Sequence, residues 1–116
     1  MEITEIYTRE ETSYFRTHSV QWEKQAKLGT YSFPTNAKYF RLRKFDKGLF
    51  YDWHTAPRSQ YIIYLEGEVE VIASGGEKKI FHAGDILFAN DLSGIGHTSK
   101  TIQPGKALII VADAML

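Results

Sequence analysis

GLFYDWHTAPRSQ (48–60) and DLSGIGH (91–97) are the two stretches that decide how this chain folds. The first runs on to Gly67, and the second is led in by Gly84 and Asp85. Sixteen residues separate Gly67 from Gly84, and Ser74, Gly75, Gly76 and Glu77 stand in their middle. Paired glycines supply positive φ without steric cost, so this tetrad reads as a hairpin turn. Outward from that hairpin the chain punctuates as strands. Glu68 to Val71 alternates strictly and puts Val69, Val71 and Ala73 on one face. Lys78 to Phe81 returns from the turn, and Asp85 to Ala89 and Ala107 to Ala112 are short apolar strands. Ser59 to Leu65 is almost wholly apolar and ends at Glu66 and Gly67. Ala37 to Phe45 ends at Asp46, Lys47 and Gly48, and Tyr31 to Phe33 ends at Pro34. Helical periodicity is nearly absent. Thr8 to Glu11 has capping-box spacing, but no apolar face follows, so it reads as a turn or a short helical piece.

The runs 61–65, 86–89 and 108–111 are apolar on both faces. One face can line a barrel interior, and the other needs a second sheet or another subunit. The expected fold class is therefore all-β, a sandwich or barrel of the jelly-roll type in a single domain spanning 1–116. The 116 residues are 43% hydrophobic, enough for a packed core without staples. Fourteen basic and 14 acidic residues cancel, which gives no support for a nucleic-acid partner. The basic run Arg41, Arg43, Lys44, Lys47 reads as a solvated strand edge, with an anion site as the alternative. No cysteine is present, so disulfides and thiolate metal sites are excluded. No window approaches a membrane span and the N-terminus lacks a signal pattern, so no membrane partner and a cytoplasmic location are expected.

The glycine frames, the hairpin between them and the histidines His54 and His97 together resemble the cupin superfamily, a double-stranded β-barrel family with two motifs around a short hairpin. The resemblance covers about 37–111, which would be the barrel core, with 1–36 as N-terminal strands. Within that family the pattern of Trp53, His54, Ala56, Pro57, Arg58 and Gln60, with Asp91 to His97, looks like small single-domain members of mostly unassigned function. The resemblance puts His54 and His97 at two histidine ligand positions and Gln60 at the glutamate position. Ala56 stands where a second histidine is usual, and Asn90 where the second motif has proline.

Those departures decide what chemistry to expect. A catalytic divalent ion usually takes three or four protein ligands. His54, Gln60 and His97 form a weak neutral set. Asp52 lies two residues before His54 on an expected strand, hence on the same face, and would complete a two-histidine, one-carboxylate triad or else make a hydrogen bond at the barrel rim. Without a metal, His54 is a pocket histidine hydrogen-bonded to Gln60, and His54 and His97 are candidate acid and base. The cofactor expectation is thus none or a divalent metal ion. Tyr64 shares parity with Gln60, so it lines the same cavity or packs in the core. Arg58 has that parity but precedes the strand, which places it in the ligand pocket or on the surface. Gly94 and Gly96 make a tight turn that aims His97, and Trp53 has the opposite parity to His54. His18 and His82 read as surface residues.

Three functions fit these residues. One is a small-molecule-binding cupin, acting by acid–base isomerisation or cyclisation on a carbohydrate or carbonyl compound. Another is a metal enzyme with a reduced ligand set, an oxygenase, isomerase or lyase using Fe, Ni, Mn or Zn. The third is a non-catalytic sensing or assembly module. Whether the chain is an enzyme stays open. A homodimer is expected, because Ile3 to Trp22, with Tyr7, Tyr14 and Phe15, can add a strand to a neighbour's sheet.

Overall fold

The computed structural model describes residues 1–23 and 25–115. Among the described residues eight strands form: β1 (Glu2–Arg9), β2 (Thr12–Ser19), β3 (Ala37–Phe45), β4 (Phe50–His54), β5 (Gln60–Ala73), β6 (Lys78–His82), β7 (Ile86–Asn90) and β8 (His97–Ala112). The described residues contain no helix long and apolar enough to cross a membrane. The strand order is β2-β1-β7-β5-β8-β3, with β4 also on β8 and β6 also on β5. All pairings are antiparallel except β1 with β7.

The two long strands turn one ladder into two walls. β5 and β8 pair along nearly their whole length, but the register shifts repeatedly between Tyr64 and Val69. Bulges bend a strand and raise its twist. At this bend Gly67 adopts φ 85°, and a Cβ there would sit 2.6 Å from the Pro104 carbonyl oxygen. Gly105 lies equally tight against the Glu66 carbonyl. Only glycine lets the two backbones cross so closely. On one side of the bend, β5 pairs with β7 and β8 pairs with β3. On the other side, β5 pairs with β6 and β8 pairs with β4. A large wall, β2-β1-β7-β5-β8-β3, thus faces a smaller one, β6-β5-β8-β4. This is the expected all-β jelly-roll barrel.

Side chains between the walls make the main core, with Ile6, Val69, Val71, Phe81 and Leu87 almost fully buried. Phe81 stacks on Tyr64 with ring centroids 5.2 Å apart. The outer face of the large wall carries a second cluster, Ile3, Tyr61, Phe88 and Ala112, against which Val20, Ile110 and Met115 pack. The doubly apolar runs are thereby covered on their outer face by the chain's own N- and C-terminal segments.

Several sequence expectations change. Ser59 to Leu65 and Glu68 to Val71 are one continuous strand, because Glu66 and Gly67 form a bend and not a terminus. β8 begins ten residues before Ala107, since His97 to Thr101 is polar on the face it presents to the barrel. Tyr31 to Phe33 is not a strand; Ser32 makes a single bridge to Trp22. Thr8 to Glu11 is not helical. Glu10 and Glu11 take φ 51° and 64° and form the two-residue turn between β1 and β2. The N-terminal hairpin pairs with β7 of its own chain, so the segment that was expected to reach a neighbour completes its own sheet.

Candidate functional site

A cavity of about 440 Å³ opens between the two walls. That volume lies within the usual range for small-molecule sites, roughly 300–1,000 Å³. His54, Gln60, Tyr64 and His97 all line it, as the motif spacing leads one to expect. Cross-strand pairing explains why. His54 stands opposite His97, and His97 stands opposite Ala73, so the two imidazoles share one row of the small wall. Their ring centroids are 4.3 Å apart. Gln60 and Tyr64 belong to the large wall, opposite Val111 and Ala107.

Asp52 does not join them. β4 carries a register shift between Tyr51 and His54, where one extra residue separates the pairs Tyr51–Ser99 and His54–His97. The bulge breaks the two-residue periodicity on which the expectation rested. Tyr51 therefore shares the cavity with His54, while Asp52 turns outward and its Oδ1 accepts the Trp53 N–H at 2.8 Å. Arg58 is also outside the lining; its guanidinium donates to the Tyr39 hydroxyl at 2.8 Å. His54 does not bond Gln60. Its Nδ1 lies 2.7 Å from the Asp52 carbonyl oxygen. His82 is exposed as expected, but His18 is half-buried with its Nε2 2.7 Å from Glu5 Oε1.

Behind His97 stands a residue that the motif reading treats only as part of a turn. Asp91 is fully buried, and its Oδ2 lies 2.6 Å from His97 Nδ1. The same oxygen accepts the Ser13 hydroxyl at 2.8 Å. Oδ1 is buried with no protein partner among the described residues, so both contacts fall on one oxygen. Ser13 is itself positioned by Ser74, whose Oγ accepts the Ser13 N–H at 2.7 Å. The N-terminal hairpin thus reaches under the site and braces Asp91. The two motif halves are also tied directly. The Ala56 N–H donates to the Asp91 carbonyl at 2.9 Å. Gly96 has φ 84°, and a Cβ there would collide with the His54 carbonyl. Gly96 thereby lets β4 and β8 close over one another next to His97. Ala56 is buried and lines the cavity, so the position where the resemblance expects a second histidine offers only a methyl group.

Hydrogen-bond chemistry assigns the ring tautomers. The oxygen facing His54 Nδ1 is a carbonyl, which only accepts, so Nδ1 carries the hydrogen. An ionised Asp91 carboxylate imposes the same choice on His97. Nε2 is then the basic nitrogen of both rings, and it has no protein partner among the described residues. Burial pushes the His54 pKa below the ordinary imidazole range, and neighbouring His97 adds to this; the Asp52 carbonyl and Asp91 oppose it. Burial pushes the Tyr64 hydroxyl up to about 12 against the pull of Arg43, so it stays a donor at neutral pH.

Metal-binding histidines commonly anchor one ring nitrogen on a carbonyl or carboxylate, as both do here. The remaining donors do not fit a tightly held dication. Among the described residues no three of His, Cys, Asp and Glu converge. The third donor facing the cavity is the neutral amide of Gln60.

No family model matches the chain, and no curated protein matches it. Solved structures do. An RmlC-like cupin from Shewanella frigidimarina is 21% identical over 96% of this chain and 85% of its own, with a TM-score of 0.54. Protein NMB1881 from Neisseria meningitidis is 17% identical over 94% of this chain and 82% of its own, with a TM-score of 0.50. SPY1581 from Streptococcus pyogenes, a conserved protein of unknown function, is 19% identical over 66% of this chain, with a TM-score of 0.53. This chain spans just under two thirds, 65%, of the Streptococcus protein's length. The bent β5–β8 ladder, the two facing walls and these likenesses together give the chain the cupin fold.

Proposed function

We propose that this cupin-fold protein binds a small organic molecule in its barrel and moves a proton on it, with His97 as the base. The observation that carries this reading is the 2.6 Å contact between His97 Nδ1 and the buried Asp91 carboxylate. The carboxylate holds the tautomer that leaves Nε2 basic and stabilises the imidazolium that forms when Nε2 takes a proton. A proton removed from the carbon beside a carbonyl leaves its electron pair on the carbonyl oxygen, and the same imidazolium returns it at another atom. That sequence is an isomerisation. His54, neutral by burial, accepts a hydrogen bond from a substrate hydroxyl at its Nε2. The Gln60 amide and the Tyr64 hydroxyl supply donors from the opposite wall.

The test is deuterium uptake from heavy water into a panel of small aldehydes, ketones and sugars, followed by proton NMR. The wild-type protein should exchange one of them, and His97→Asn should not. Exchange by His97→Asn at the wild-type rate would sink the proposal. Metal analysis after loading with Fe, Ni, Mn and Zn decides the metal-enzyme reading. One equivalent retained through gel filtration, and lost in both His54→Ala and His97→Ala, would establish it in place of this one.

A homodimer is also proposed, for a reason different from the N-terminal segment. β3 is the edge of the large wall, and its outward residues Phe40 and Leu42 are 68% and 70% exposed. An open, apolar strand edge pairs readily with a second copy. A monomeric mass by light scattering at micromolar concentration would falsify this.

A further inference from the structure

We infer that the molecule taken up by this cavity carries an oxyanion, a carboxylate or a phosphate, and that Arg41 and Arg43 hold it. The inference deepens the proposed function and rests on the cavity being a small-molecule site. It starts from rows of side chains across the large wall. Arg41 on β3 stands opposite Ile109 on β8, which stands opposite Ile62 on β5. Arg43 stands opposite Ala107, which stands opposite Tyr64. Cross-strand neighbours share a face. Ile62, Ala107, Ile109 and Tyr64 are all buried toward the barrel, so both guanidiniums belong to its inner face, and both line the cavity. The methyl group of Ala107 is small enough for Arg43 to reach toward the Tyr64 hydroxyl, whose pKa it pulls down.

Charge then points to a ligand. Among the described residues nineteen line the cavity; two are arginines and none is acidic. Among the described residues four Lys or Arg side chains pair with acids, Arg16 with Glu5, Lys38 with Asp113, Lys78 with Glu70 and Lys106 with Glu66, and what sets Arg41 and Arg43 apart from the other unpaired cations is their place on the cavity wall. Neither Arg41 nor Arg43 has an ion-pair partner among the described residues. A permanently charged fork left without an acid on a concave, partly apolar wall suits a carboxylate or phosphate, which it binds through two parallel hydrogen bonds.

The placement also orients the ligand. The arginines stand on the large wall, and His54 and His97 stand on the small wall with Ser99 and Thr101 beside them. Facing sheets lie about 10 Å apart, so a molecule of about three to six carbons spans them. Its anionic end meets the guanidiniums while its reacting carbon meets the imidazole row. Recognition and proton transfer are thereby assigned to different walls.

Calorimetric titration with glycerol 3-phosphate, glycerate and glycerol tests this, since the three share a carbon skeleton and differ in charge. At least one anionic probe should bind about tenfold or more tightly than glycerol, as expected for a charge-assisted fork. Preference for glycerol 3-phosphate assigns a phosphate ligand, and preference for glycerate a carboxylate. Arg41→Gln should weaken that probe about tenfold, and Arg41→Lys by less, because the charge remains and the fork is lost. Arg41 is exposed on an edge strand, so both variants should melt near the wild-type temperature. Glycerol binding as tightly as the anions, no anion binding below about 10 mM, or unchanged affinity in Arg41→Gln would each overturn the inference. His97→Asn separates it from the catalytic reading. Retained anion binding with no deuterium exchange by the wild type leaves the arginine site standing and removes the proposed reaction.

Discussion

His54 and His97 face each other as a cross-strand pair, yet the chain has built them differently. His97 is 7% exposed, backed by a buried carboxylate that Ser13 holds from a third direction. His54 sits half-buried at a bulge, backed only by a main-chain carbonyl two residues away. Both present Nε2 to the same cavity. What separates them is the group behind Nδ1. A carboxylate gains energy when the ring becomes cationic, and a carbonyl gains much less. The proposed reaction therefore assigns the base to the β8 side of the pair.

The largest expected effect tests that asymmetry directly. Asp91→Asn keeps the side chain's shape but removes the charge and lets the amide donate to Nδ1, which reverses the tautomer. Deuterium exchange should fall about a hundredfold or more, the range of general base catalysis. His54→Asn should cost about tenfold or less, as expected when one hydrogen bond to the substrate is lost. Equal losses in the two variants would break the comparison.

The next effect concerns the contact that holds the pair together. In Gly96→Ala a methyl group meets the His54 carbonyl at positive φ, so β4 and β8 must separate. A loss of about 3 kcal/mol in urea denaturation is expected, against about 1 kcal/mol for Gly76→Ala, where φ is also positive but the Cβ meets nothing. Similar losses would show that Gly96 serves its turn alone and does not lock the histidines. Ser13→Ala should also cost about 1 kcal/mol, because it removes one of the two hydrogen bonds to Asp91.

These tests fall unevenly on what the sequence makes legible. The bounds of β3, the glycine turn at 74–77 and the cavity positions of His54, Gln60, Tyr64 and His97 follow from local punctuation and motif spacing, which single segments carry. The bulge in β4 does not, because a register shift is a property of two strands and the partner begins 43 residues later. Asp91 escapes for a similar reason. Its role depends on Ser13, 78 residues away, and nothing in the second motif marks that contact. Arg41 and Arg43 were within reach. They share parity with Phe45, the one buried residue of β3, but four basic residues in seven positions read as a solvated edge. The continuous course of β5 was hidden by Gly67, since glycine marks a bend and a strand end equally well.

The smallest effect is a slope in stability with pH, and it isolates His54. Burial lowers its folded pKa below 6.5, its ordinary value, while the unfolded chain titrates near that value. As pH falls through 6.5, the unfolded chain takes up a proton that the folded chain still refuses. Stability therefore declines from pH 6.5 down to the folded pKa, and the penalty is constant below it. Glu5 acts with the opposite geometry. Burial raises its pKa, but hydrogen bonds from Arg16, Asn90 and His18 outweigh burial and hold it below 4.5. Its contribution is lost only as pH falls below 4.5 and through the folded value, so measurements kept above pH 5 exclude it. Urea midpoints at pH 7.5, 6.5 and 5.5 should fall for the wild type, and the fall should be shallower in His54→Asn. An identical slope in that variant would mean that His54 is as easily protonated folded as unfolded, and the distinction drawn between the two imidazoles would lose its electrostatic half.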